Sequence, residues 1–138
     1  MFYHSSYHLM NYKTISRIAV SLILVLLVSS FTFDVPAKKF SPVGSWEYSV
    51  PGVAEGYETG TMIISEDGED YKVTMQLNEY FKTDAEKVVY KNKALSFSVW
   101  VETEEIKISG TFEGETFTGK VSYSEGDFDL KAVRKTAE

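Results

Sequence analysis

From Gly44 onward, apolar and polar residues alternate with a period of two. Trp46, Tyr48 and Val50 alternate with Ser45, Glu47 and Ser49. Tyr71, Val73, Met75 and Leu77 alternate with Lys72, Thr74, Gln76 and Asn78. Leu95, Phe97, Val99 and Val101 alternate with Ser96, Ser98, Trp100 and Glu102. Ile106 and Ile108, then Phe117 to Tyr123, then Phe128, Leu130 and Ala132 continue the pattern. Successive side chains of a strand point to opposite faces, so this spacing describes strands with one buried and one wet face. The breaks are short. Glu66-Asp-Gly-Glu69, Lys91-Asn-Lys93, Glu113-Gly114 and Glu125-Gly-Asp127 bring Gly or Asn to positions where hairpin turns need a positive φ. The pattern predicts eight strands, at 44–50, 58–65, 70–78, 84–90, 94–102, 104–112, 115–123 and 127–135.

Eight antiparallel strands in chain order form a meander, and an open sheet of that size leaves two edges free to pair with other chains. Pairing the eighth strand with the first removes both edges. The expected fold is therefore all-β, an eight-stranded antiparallel up-and-down barrel, a size that packs its own side chains or holds one small ligand. A two-sheet sandwich is the runner-up. Its crossovers usually need long connections, and only 51–57 and 79–83 are long here.

A different pattern precedes the strands. Ile18 to Val28 is almost continuously apolar, with Lys13 and Arg17 before it and Ser29 and Ser30 after it. A membrane-spanning helix needs about 20 apolar residues. The apolar region of an export signal is about 7–15 residues long and follows a positive segment. The run reads as a signal peptide over residues 1–37, with residues 38–43 a linker and 44–138 the barrel domain. Cleavage after Ala37 is preferred to cleavage after Ser30, and the alternative is an anchor retained through Phe33. Met10-Asn-Tyr-Lys13 is a more usual beginning for such a signal, so translation is expected to start at Met10. The expected location is secreted or periplasmic, with no membrane attachment after cleavage.

Charge and composition narrow the chemistry. The chain has 138 residues, no Cys, two His and a net charge of −6. Cleavage would remove Lys13, Arg17 and Asp34, leaving −7. Phosphate attraction is the main affinity term for nucleic acid, so an acidic chain with no basic cluster is not expected to bind it. His4 and His8 both fall in the leader, so the remainder lacks both His and Cys. That removes the commonest general base, the thiol nucleophile and the usual zinc ligands. No Gly-x-Ser-x-Gly elbow, phosphate loop or dinucleotide fingerprint occurs. Glu104 and Glu105 are adjacent, so a strand would point them to opposite faces rather than pair them across a glycosidic bond. The acidic run Ser65 to Asp70 lacks the spacing of an EF-hand calcium loop. No catalytic residue, metal site or cofactor is expected, and the protein is not expected to be an enzyme.

Gly44-Ser-Trp46 at the start of the first strand, with Arg134 near the end of the last, resembles the calycin superfamily of lipocalins, fatty-acid-binding proteins and avidins. In those families a Gly-x-Trp opens the first strand, and an Arg from the last strand packs over the Trp ring at the closed end. The resemblance implies a lipocalin-like barrel with Gly44, Trp46 and Arg134 at its closed end. Parity agrees, because Arg134 shares a face with Phe128, Leu130 and Ala132. A charge pointing inward needs a reason such as stacking on Trp46 and hydrogen bonds to nearby carbonyls. The outline Gly44/Trp46, Gly56 to Thr61, Leu95-Ser-Phe97 and Thr111 to Val121 also resembles small exported β-barrel domains common in bacteria of the Bacteroidetes type, whose activity is unsettled.

The inward aromatics Trp46, Tyr48, Tyr71, Tyr90, Phe97, Phe117, Tyr123 and Phe128 either fill a core or frame a narrow pocket. Gly110, Gly119, Ala132 and Thr61 are the small inward positions expected to make room. Tyr57, Tyr80, Phe81, Tyr71, Phe97 and Tyr123 are the candidates for ligand contact, and outward-facing Trp100 is the candidate for a protein interaction. Two functions compete. One is binding of a small hydrophobic or aromatic ligand in the barrel mouth. The other is a protein-interaction or accessory module acting through the outer surface and mouth loops. The oligomeric state is left open.

Overall fold

The computed structural model describes residues 35–136. The chain divides at Lys38/Lys39, and the unit from Lys39 onward is the subject below. The expected leader lies, apart from its last three residues, outside the described ones.

Nine strands follow one another: β1 (Gly44–Ser49), β2 (Thr59–Asp67), β3 (Asp70–Gln76), β4 (Lys82–Asp84), β5 (Glu86–Lys91), β6 (Ala94–Val101), β7 (Glu104–Glu113), β8 (Thr116–Tyr123) and β9 (Gly126–Arg134). They form one antiparallel sheet in the order β4-β3-β2-β1-β9-β8-β7-β6-β5. The last strand pairs with the first, and Trp46 faces Arg134 in that register. The sheet therefore curls into a nearly closed barrel whose two edge strands, β4 and β5, are consecutive in the chain.

The eight-strand expectation is corrected at its fourth strand. Residues 84–90 do not form one element. Lys82 to Asp84 pairs with β3, and Glu86 to Lys91 pairs with β6. The chain changes partner at Ala85, whose N–H still donates to Val73 O at 2.8 Å. Lys87 then takes a left-handed φ of 54° in an irregular stretch between Glu86 and Val89. A bulge bends its strand and breaks pairing, and here it lets one segment serve two diverging neighbours. The polar run Thr83-Asp84-Ala85-Glu86-Lys87 has no period of two, which is the trace of that bend in the sequence.

The other turns follow from local chemistry. Asn92 and Lys93 both have positive φ between β5 and β6, as a two-residue type I′ hairpin requires. This turn, 68–69 and 114–115 lie at the Trp46 end of the meander. The connections 50–58, 77–81, 102–103 and 124–125 lie at the other end. Trp46, Met62, Val73, Leu95, Phe117, Leu130 and Ala132 are among the side chains buried between the walls.

The two halves of the interior differ. Phe112 is the centre of the Trp46 half, with ring centroids 4.8 Å from Trp46, 4.7 Å from Phe117, 5.5 Å from Phe40 and 6.2 Å from Tyr90. Tyr71 of β3 meets Tyr90 of β5 edge-on at 5.0 Å, across the seam where no ladder of backbone bonds joins the two strands. This half is packed with rings. The other half is lined by aliphatic side chains and is not filled.

Candidate functional site

The closed end is built around Trp46. The ring is fully buried, and its indole N–H donates to Pro42 O at 2.9 Å. The Arg134 guanidinium sits 4.4 Å above the ring centroid and donates to the carbonyls of Val43 and Ser41. The Glu115 carboxylate is 2.7 Å from Arg134 Nε but off the N–H direction, so it is an ion pair and not an aligned hydrogen bond. Gly44 has a φ of 142°, and a Cβ there would lie 2.9 Å from Arg134 Nη1. The first residue of the Gly-x-Trp thus has to lack a side chain for both reasons. Residues 38–43, expected as a linker, supply Phe40, Pro42 and these carbonyl acceptors. Phe40 also lies under the cationic groups of Lys93 and Arg134, at 5.5 and 5.9 Å.

The opposite end holds a half-enclosed cavity of about 310 Å³. Its walls include Met75, Val99, Ile106, Ile108, Val121 and Leu130 from five different strands. The loop between β1 and β2 covers one side with Val53, Ala54 and Tyr57. That loop is held by Val50 N–H donating to Glu58 O at 2.7 Å and Tyr57 N–H donating to Ala54 O at 3.1 Å. Tyr123 lines the mouth and stacks on Phe128 at 5.2 Å. Pockets for small molecules run upward from about 300 Å³, so this one is at the small end of the range.

The polar groups of the cavity are few. Glu102, Glu104 and Glu125 stand at the rim with Thr103, and among the described residues no Lys or Arg lines the cavity. Glu104 accepts from Ser124 N–H at 2.7 Å. Hydrogen bonding from Ser124, by its hydroxyl and then its backbone N–H, holds the Glu104 carboxyl below its ordinary range. Glu125 accepts from the Tyr123 hydroxyl at 3.0 Å. Glu102 has a φ of 56°, a left-handed conformation that costs a non-glycine residue about 1–2 kcal/mol. Tyr48 also lines the cavity. It is 5% exposed, and its hydroxyl has no hydrogen-bond partner. Burial pushes that hydroxyl up to about 12. Its ring lies against Gly60, where a Cβ would be 2.6 Å from the Tyr48 oxygen.

Of the six residues expected to contact a ligand, Tyr57 and Tyr123 line this cavity and the other four do not. Tyr71 starts β3 at the closed end and packs on Tyr90. Phe97 is buried in the core. Tyr80 and Phe81 are at the open end but turn outward, with Tyr80 91% exposed. The cause is local: the Asn78 side-chain oxygen accepts from the backbone N–H groups of both, at 2.9 Å each, and folds the loop into a tight turn. Trp100 faces outward, 47% exposed, with its indole N–H donating to Glu86 at 3.3 Å.

The small inward residues do not open the cavity as expected. Gly110 and Gly119 face each other across β7 and β8. A Cβ on Gly119 would be 2.0 Å from Ser109 O, and one on Gly110 2.6 Å from the end of the Phe117 ring. Their missing side chains are taken up by a close approach of two backbones and by Phe117. The aliphatic liners were inward by parity. What parity omits is depth, the distance of each inward residue from the Trp46 end, which follows from the register. Among the described residues, no group of three or more His, Cys, Asp or Glu is placed to hold a metal ion. Nor does any described helix have the length and apolar character to cross a membrane.

No protein-family model and no curated protein matches the chain. Among solved structures, it is similar to fatty-acid-binding protein 1 of Echinococcus granulosus, at 14% identity and a TM-score of 0.44, over 68% of this chain and 97% of that one. A point mutant of the fluorescent protein UnaG is similar at 12% identity and a TM-score of 0.46, over 70% of this chain and 97% of that one. At TM-scores below 0.5 neither likeness bears on what this chain does, and its activity has to be read from its own cavity.

Proposed function

We propose that the domain is an exported, non-enzymatic binding protein that holds one small hydrophobic or aromatic ligand in the open end of its barrel. The observation that carries this reading is the cavity itself, about 310 Å³ of space with aliphatic walls, above a floor filled by rings. A barrel with no ligand to hold gains stability by filling such a space, since unfilled apolar volume costs contacts. The absence of His and Cys after residue 37 supports a role without catalysis, and the apolar run after Lys13 and Arg17 supports export.

The test is titration with the neutral fluorophore N-phenylnaphthylamine, which brightens and shifts to the blue in apolar surroundings. Saturable binding is expected for the native domain. Val121→Phe, which drives a ring into the cavity, should abolish it while the protein still unfolds cooperatively. Equal binding by a folded Val121→Phe variant would overturn the reading. Exposed Trp100 and Tyr80 favour a second reading, an interaction module acting through its surface. The same titration separates the two, because a surface module has no reason to take the fluorophore in a Val121-dependent way.

A further inference from the structure

The rim of the cavity is charged in one sense only. Glu102, Glu104 and Glu125 belong to its lining, and among the described residues no basic side chain does. The surroundings have the same sign. The four connections at this end, 50–58, 77–81, 102–103 and 124–125, contain Glu55, Glu58, Glu79, Glu102 and Glu125 and neither Lys nor Arg. The closed end carries both signs, with Lys39, Lys93, Arg134 and Lys135 beside Glu66, Asp67, Glu69, Asp70, Glu113 and Glu115. A mouth lined by one sign of charge over low-dielectric walls concentrates ligands of the opposite sign. A carboxylate entering it would leave water, meet three like charges and find no cation to receive it.

One further observation bears on the charge of the ligand. The three carboxylates are not placed to hold a metal ion together, so the counter-charge that suits them is an organic cation.

We propose that the cavity takes a small amine with an apolar body, the body among Val99, Ile106, Val121 and Leu130 and the ammonium group between Glu102, Glu104 and Glu125, and that it rejects the matching carboxylic acid. This rests on the binding function proposed above. One exposed ion pair is weak. A cation and an anion of equal length, however, differ by attraction in one case and repulsion in the other, summed over three carboxylates.

Octylamine, octanol and octanoate, tested at neutral pH as displacers of N-phenylnaphthylamine, separate the possibilities. Octylamine should displace it at least about tenfold more tightly than octanoate, a ratio that added salt reduces. In Glu102→Gln/Glu104→Gln/Glu125→Gln the ratio should fall to within about twofold, as expected when the charge difference is removed. Glu102→Gln/Glu125→Gln leaves Glu104 and its bond to Ser124 in place and should lower the ratio part of the way, which keeps the test open if the triple variant does not fold. Octanoate binding as tightly as octylamine in the native protein, or an undiminished preference in either folded variant, would overturn this inference while octanol displacement upheld the cavity as a binding site. Failure of all three to displace the fluorophore would remove the binding function and this inference together.

Discussion

Trp46 makes an N–H bond to Pro42, a ring contact with Phe112 and a stacking contact with Arg134, and each fixes part of the closed end. Trp46→Ala should cost about 3–5 kcal/mol, as deletions of large buried rings do, read as a large drop in melting temperature. Arg134→Ala removes charged hydrogen bonds to the Val43 and Ser41 carbonyls and should cost about 1.5–3 kcal/mol. Fluorophore affinity at the far end should not change in Arg134→Ala, and a parallel loss of binding would place the two ends in one unit. Glu104 supplies a pH dependence. Its folded value lies below the ordinary 4.5 because Ser124 bonds its charged form. The stabilisation it gives is therefore complete above that ordinary value and is lost as pH falls through the lower folded one. Thermal melts across the acid range should show a shallower decline for Glu104→Gln than for the native protein. An identical decline would mean that the Ser124 bond contributes nothing. Phe112 shows how far residue roles were legible. It shares parity with Ile106 and Ile108 but was not among the aromatics expected inward, because its place at the centre of the ring cluster depends on β8, β5 and Phe40 arriving beside it.

At the scale of elements, the alternation of side chains specified eight stretches of strand and most of their turns, because a half-buried sheet has a period of two whatever its neighbours. The fourth stretch was misread for the converse reason. Its division at Ala85 is set by two partners that diverge, and nothing within 84–90 states where β3 and β6 lie. The seam should be the weak point of the barrel. β4 has three residues and one partner, whereas β1 is paired on both sides. Amide hydrogen exchange should show the N–H groups of β4 and of Glu86 to Val89 opening fastest among the strands, and those of β1 and β9 protected up to global unfolding. Equal protection of β4 and β1 would count against a seam. Tyr71 and Tyr90 carry much of the contact across it, which explains why these aromatics were recognisable as inward and yet serve closure of the wall instead of the cavity.

At the scale of the molecule, a Cys-free domain of about 100 residues relies on its core alone, with no disulfide to add to it. Here that core is uneven, with rings at one end and space at the other. A ligand that fills the space binds the folded state only, so octanol at about 100 times its dissociation constant should add about 2.7 kcal/mol to stability. Melting temperatures measured against octanol concentration check this, and Val121→Phe should flatten the dependence. A native protein whose melting temperature is indifferent to octanol would have no cavity open to it. Alternation, turn residues and the Gly-x-Trp with its distant Arg were enough to read an antiparallel barrel with a Trp46/Arg134 closed end, because these are properties of single strands and of one register pairing. The depth of each inward residue, the outward turn of Tyr80 and Phe81, the use of Gly110 and Gly119 for close backbone approach, and the gathering of Glu102, Glu104 and Glu125 at one rim came only with the folded barrel. Each depends on where separate strands and loops meet, and a period of two along one strand contains no information about distance between strands.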